Sequence, residues 1–135
     1  MREIVLDTET TGLPKKWKAP VTDLGNWPRM IQIGWTLCNE EGKRVDSAEF
    51  IIKPNNFIIP TAASNVHGIT TEKANEDGVD LDVVLNKFNE MVNEASFIVA
   101  HNISFDEKII GAELIRTKTD SNLSSIPKIC TMKTT

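Results

Sequence analysis

The chain has 135 residues, 40% of them hydrophobic, with a formal net charge of -4 and a pI near 5.2. That is one domain's worth of sequence with enough apolar surface for a real core, which excludes a disordered segment. The acidic balance excludes a protein that coats nucleic acid with a broad basic face, but not one that grips a single strand end through metal ions and backbone amides.

Cys38 and Cys130 stand far apart, in no metal-ligand spacing, and read as reduced thiols. The N-terminal run Ile4-Val5-Leu6 is too short for a signal peptide, and no stretch is long enough to span a membrane. A soluble cytoplasmic protein with no membrane partner is the expectation.

In chain order, Ile4-Val5-Leu6 predicts a short buried strand. Residues 14 to 28 form a loop punctuated by Pro14, Pro20, Gly25 and Pro28, with Lys15, Lys16 and Lys18 along it. Met30 to Cys38 alternates, with Ile31, Ile33, Trp35 and Leu37 on one face and Gln32, Gly34 and Thr36 on the other. Residues 39 to 43 are a hairpin loop, and residues 44 to 53 a third strand ended by Pro54.

The period then changes. Residues 70 to 76 predict a short helix capped by Thr70. Residues 81 to 95 predict a longer one, with Leu81, Val84, Leu85, Phe88, Met91, Val92 and Ala95 on one stripe and Asp80 as N-cap. Phe97-Ile98-Val99-Ala100 reads as a buried strand. A further helix runs from about Phe105 to Arg116, with Ser104 and Glu107 in capping-box spacing. Residues 117 to 125 are a polar loop, and residues 128 to 131 a short fifth strand. The order β-β-β-α-α-β-α-β predicts an α/β fold whose mixed sheet begins as three antiparallel strands.

Residues two apart in a strand point to the same side, so Asp7 and Glu9 project together from the end of the first strand. Unscreened, such carboxylates repel and raise each other's pKa, and a hard divalent cation removes that cost. Small Thr10-Thr11-Gly12 follows, where backbone amides can approach a ligand. Asp106 falls in the first turn of a helix, where the dipole alone would account for an acid. If strands one and four are neighbours, Asp7, Glu9 and Asp106 gather at one sheet edge. Three carboxylates there can hold two cations on a phosphate, the arrangement of in-line phosphodiester displacement.

Asp7-Thr8-Glu9-Thr10-Thr11-Gly12-Leu13 and Ala100-His101-Asn102-Ile103-Ser104-Phe105-Asp106 resemble the first two motifs of the DEDD-type 3′–5′ exonucleases. That group includes the proofreading epsilon subunit of DNA polymerase III, RNase T and oligoribonuclease. Val66-His67-Gly68-Ile69-Thr70 is similar to a segment between those motifs in the epsilon-like branch.

The resemblance implies a ribonuclease-H-like fold in which Asp7, Glu9 and Asp106 ligate two Mg²⁺ or Mn²⁺ ions. It further implies that the backbone around Thr10 and Gly12 holds a 3′-terminal nucleotide. Leu13 would then pack on its base, and His67 and Phe105 would shape the pocket. The implied partner is a single-stranded DNA or RNA 3′ end, with a DNA polymerase as a candidate protein partner.

The family's third motif supplies a general-base His and a fourth Asp. The histidines here are His67 and His101, both inside other motifs, and Asp120 follows no suitably spaced His. The expectation is therefore that residues 1–135 are an exonuclease domain truncated at the C-terminus and catalytically weak or inert. An apolar patch, with a tendency to self-associate, is expected where further helices would pack.

The alternative is a non-catalytic nucleic-acid-binding module on an exonuclease-like fold. For the 14–28 loop there are again two readings. Lys15, Lys16, Lys18, Trp17 and Trp27 could contact a strand by charge and stacking, or the loop is solvated with both tryptophans tucked on the core. The second is the expectation.

Overall fold

The computed structural model describes residues 2–130. Strands β1 (Glu3–Thr10), β2 (Met30–Cys38) and β3 (Arg44–Ile51) are followed by helices α1 (Thr61–His67), α2 (Thr71–Asp77) and α3 (Leu81–Glu94). Strand β4 (Phe97–Ala100), helix α4 (Ile103–Arg116) and strand β5 (Lys128–Cys130) complete the order. The sheet order is β3-β2-β1-β4-β5. The first three strands pair antiparallel, and β4 and β5 join in parallel. The anticipated mixed sheet is thus present, with β1 and β4 as neighbours. Residue 131 of the expected fifth strand lies outside the described residues.

Alternation assigns the two sheet faces. Ile4, Leu6, Ile33, Trp35, Leu37, Ile98 and Ala100 point to one side, where they share a core with Leu85 and Phe88 of α3 and Ile109 and Ile110 of α4. Trp35 is central, its ring 5.6 Å from Phe50 and 5.9 Å from Phe88. The other face is open. Register places Val5 beside Val99, and Val99 beside Ile129, on that face; Val5 and Ile129 are both 45% exposed. Val5 and Ile129 thus leave a short, half-exposed apolar row on that face.

Ile31 departs from its expected company. A bulge falls opposite Glu9 and Thr10, which pair with Gln32 and Met30 and skip Ile31. The extra residue lets consecutive Met30 and Ile31 both be fully buried. Ile31 enters a separate small core with Ile59, Ala63, Ile69 and Ala74, beneath α1 and α2.

Helix α1 has no counterpart in the sequence reading. It spans seven residues and buries only Ala63, too little to display a helical stripe. Its punctuation was present: Pro60 precedes it, and Gly68 ends it in the left-handed region at φ 77°, with its N–H donating to Ser64 O.

The caps are mixed. Thr70 accepts from Lys73 N–H as expected, whereas the Asp80 side chain makes no capping bond. The proposed Ser104–Glu107 box does not form. Helix α4 starts earlier, behind Asn102, and Glu107 instead pairs with Lys128 at 2.9 Å.

The buried Glu113 joins these pieces. Its carboxylate is 0% exposed and accepts from Arg29 Nε, Met30 N–H and an Arg116 terminal nitrogen. Replacing one member of such a cluster leaves buried donors unpaired and typically costs about 3 kcal/mol. Glu113→Gln should lower unfolding free energy by about that amount in urea melts. A loss below about 0.5 kcal/mol, the size of an ordinary surface change, would contradict the assignment.

Candidate active site

The site forms where β1 and β4, running parallel, end at the same sheet edge and α4 begins. Only His101 and Asn102 separate Ala100 at the end of β4 from the start of α4. That short connection brings Asp106, in the first turn of α4, against β1. Asp106 is 6% exposed, and Thr8 Oγ1 donates to its Oδ1 at 2.5 Å. Thr8 shares the core-facing parity of Ile4 and Leu6, which is why it reaches a helix residue. Asp7, exposed, and Glu9, half-buried, leave the same strand on the opposite face.

Burial is the main force that pushes the Asp106 carboxyl up, to about 6, with the negative charge of Asp7 adding to it. The Thr8 hydrogen bonds oppose both by favouring the charged form. The Asp7 charge thus reaches Asp106. Among the described residues, however, no three His, Cys, Asp or Glu side chains converge in a ready metal cluster. Asp106 is turned towards Thr8, whereas Asp7 and Glu9 face the open side. The donor chemistry, hard carboxylate oxygen with a like-charge penalty, fits a divalent cation.

Beside Glu9 lies a cavity of ≈ 420 Å³, lined by Thr10, Gly12, Leu13, His67 and Phe105 together with Ala62, Ala63 and Val66 of α1. All five residues that the resemblance connects with nucleotide binding therefore meet in one place. Leu13 is 75% exposed and Val66 83%, leaving apolar surface at the mouth. The turn after β1 is held by Thr10 Oγ1, which donates to Gly12 O at 2.7 Å. A Cβ built on Gly12 meets nothing within 4 Å, so the fold itself has room for a side chain there.

His67 Nδ1 accepts from Ile69 N–H at 3.1 Å. In a neutral ring Nε2 then carries the hydrogen, and this buried atom has no partner among the described residues. Sequence reading missed Thr8, although its inward parity between two acids was the available signal, and it missed the α1 wall.

The sheet order and helix placement define an α/β fold of the ribonuclease-H-like type. The exonuclease family profile matches residues 4–134, and the chain belongs to that family. It is 33% identical over 131 residues to the DNA polymerase III subunit epsilon of Buchnera aphidicola from Schizaphis graminum, covering 95% of this chain and 52% of that protein. The epsilon subunit of Rickettsia conorii is 30% identical over 124 residues, covering 91% and 49%. The chain spans about half the length of these curated relatives. Among solved structures, E. coli exonuclease I in complex with a dT13 oligonucleotide superposes with a TM-score of 0.77, covering 96% of this chain and 27% of that one. At 17% identity that likeness speaks for the fold. Exonucleases of this family generally depend on divalent metal. No helix among the described residues is long and apolar enough to cross a membrane.

The Asp106 shift sets a pH dependence for the metal-free chain. Folded, Asp106 keeps its proton to about pH 6; its ordinary value is 3.8. Between those values the folded state binds more protons than the unfolded, so stability falls as pH rises through that window and levels off above it. The total loss is about 3 kcal/mol, at about 1.4 kcal/mol per pH unit. Asp106→Asn should flatten this slope and gain up to that amount at pH 7 in urea melts with chelator. An unchanged slope in the variant would contradict the assignment.

Proposed function

We propose that this chain carries the first two motifs of a metal-dependent 3′–5′ exonuclease site that removes nucleotides from single-stranded 3′ ends. The observation that carries the reading is the juxtaposition of Glu9 and the Thr10–Gly12 turn with a cavity whose other wall holds His67 and Phe105. Family membership and the epsilon relatives support the same conclusion.

In this reading Asp7, Glu9 and Asp106 hold Mg²⁺ or Mn²⁺. Two such ions, when bound, stabilise the attacking and leaving oxygens of the displaced phosphodiester. Asp106, held by Thr8 on the helix side, would supply the third carboxylate of that set. The Thr10–Gly12 turn seats the sugar of the terminal nucleotide, Leu13 and Phe105 enclose its base, and the Nε2–H of His67 supplies a donor.

Neither the family's general-base His nor its fourth Asp is supplied by the two motifs present. The residues placed here bind and orient the strand end rather than activate the attacking water. The relatives' names support an association with DNA polymerase III and hence a proofreading substrate. An RNA end shares the same phosphate and sugar chemistry, and the residues do not separate the two.

The test is equilibrium binding in Mn²⁺ of 5′-labelled dT10 bearing either a 3′-hydroxyl or a 3′-phosphate. The hydroxyl end should bind at least about tenfold more tightly, about 1.4 kcal/mol, with the preference lost in Asp7→Ala and in Leu13→Ala. Little or no turnover is expected from residues 1–135 alone, and turnover abolished by Asp7→Ala would overturn that expectation. Equal binding of both ends in the unaltered chain would overturn the reading.

A further inference from the structure

The loop between Gly12 and Arg29 is not a slack connector. Asn26, 6% exposed, grips the backbone of Lys16 from both sides. Its Oδ1 accepts from Lys16 N–H at 2.6 Å, and its Nδ2 donates to Lys16 O at 2.9 Å. Lys108 of α4 donates to Trp17 O at 3.2 Å, and its ammonium lies 5.2 Å from the Trp27 ring centre. Trp27 is 3% exposed and donates from Nε1 to Pro20 O. It is tucked on the core, as expected.

Trp17 is not. Its side chain is part of a residue 51% exposed, and its ring lies 5.4 Å from that of Phe105, tilted by 46°. Phe105 lines the cavity beside Glu9, and Trp17 is the next ring outward. On either side of it Lys15, Lys16 and Lys18 are exposed, and none has an ion-pair partner among the described residues. Residues 14–20 contain three lysines and no acid, in a chain whose net charge is -4. A buried asparagine and a helix lysine are thus spent on fixing a segment that presents one aromatic face and three cations to solvent. That pairing suits a base with its phosphates, since any base can stack and the ammonium groups track the backbone.

We propose that Trp17 with Lys15, Lys16 and Lys18 forms a second binding element, which holds the single strand just upstream of the nucleotide seated in the Thr10–Phe105 cavity. The inference rests on the exonuclease reading of that cavity. Trp17 stacks a base outside the cavity, and the lysines neutralise its flanking phosphates. The element lengthens the footprint on the strand without reading its sequence.

Fluorescence anisotropy with 5′-labelled dT10 carrying a 3′-terminal phosphorothioate linkage tests this on the chain as it stands. Trp17→Ala should weaken binding about 5- to 100-fold, the range for one lost base stack, while Trp17→Phe retains most of the affinity. Changing Lys15, Lys16 and Lys18 together to Gln should reduce the slope of log affinity against log salt by about 2, near 0.7 per phosphate on a single strand. Melting by circular dichroism checks that each variant is folded.

If both sets of variants bind dT10 like the unaltered chain while Leu13→Ala loses binding, the second element is overturned and the cavity reading stands. If the unaltered chain binds no dT10, both readings fall together. Repeating the series with rU10 reports whether the element serves DNA, RNA or both.

Discussion

Everything near the site is hung from one buried carboxylate. Glu113 lies two helical turns beyond Asp106 on the sheet-facing stripe of α4. A lone charge at 0% exposure would be prohibitive. Here it is compensated by Arg29, Arg116 and the Met30 amide. Arg29 carries the linkage on, since its N–H donates to Thr11 Oγ1 and its carbonyl accepts from Thr11 N–H, both at 3.0 Å. The helix bearing Asp106 and Phe105 is thereby locked to the turn bearing Thr10 and Gly12. Arg116 extends the lock by donating to Leu24 O and Trp27 O, which fixes the far end of the long loop.

On that frame the sheet divides the labour. Core-facing parity sends Thr8 to Asp106, and solvent-facing parity sends Asp7 and Glu9 outward. The bulge opposite Glu9 turns the chain out of the sheet at the point where the cavity begins. The raised affinity of Asp106 for its proton is the energetic trace of this arrangement. Burial and a nearby acid destabilise the charge, and one hydroxyl only partly restores it. A cation would supply what Thr8 does not.

Much of this was legible in the sequence because it depends on short-range spacing. The alternation in β2, the stripe of α3 and the two acidic motifs each announce themselves within about ten residues. The neighbouring of β1 and β4 was only a condition of the sequence reading, and the sheet order supplies it. What escaped depends on partners distant in sequence. Helix α1 has one buried residue and exists because Ile31 and Ile69 need cover. Ser104 and Glu107 matched a capping pattern, but a lysine 21 positions after Glu107 claimed its carboxylate. Trp17 and Trp27 look alike in the chain. Their contrasting exposure is decided by Asn26, Pro20 and Lys108, which no local pattern connects.

The central claim is that Asp7, Glu9 and Asp106 act together on a divalent cation. Its most direct test is calorimetric titration of Mn²⁺ into the chain beside Asp7→Ala and Asp106→Asn at pH 7.5. The account predicts saturable binding in the unaltered chain and loss of binding in both variants. Binding that persists undiminished in Asp7→Ala and Asp106→Asn, or none in any of the three, would contradict it.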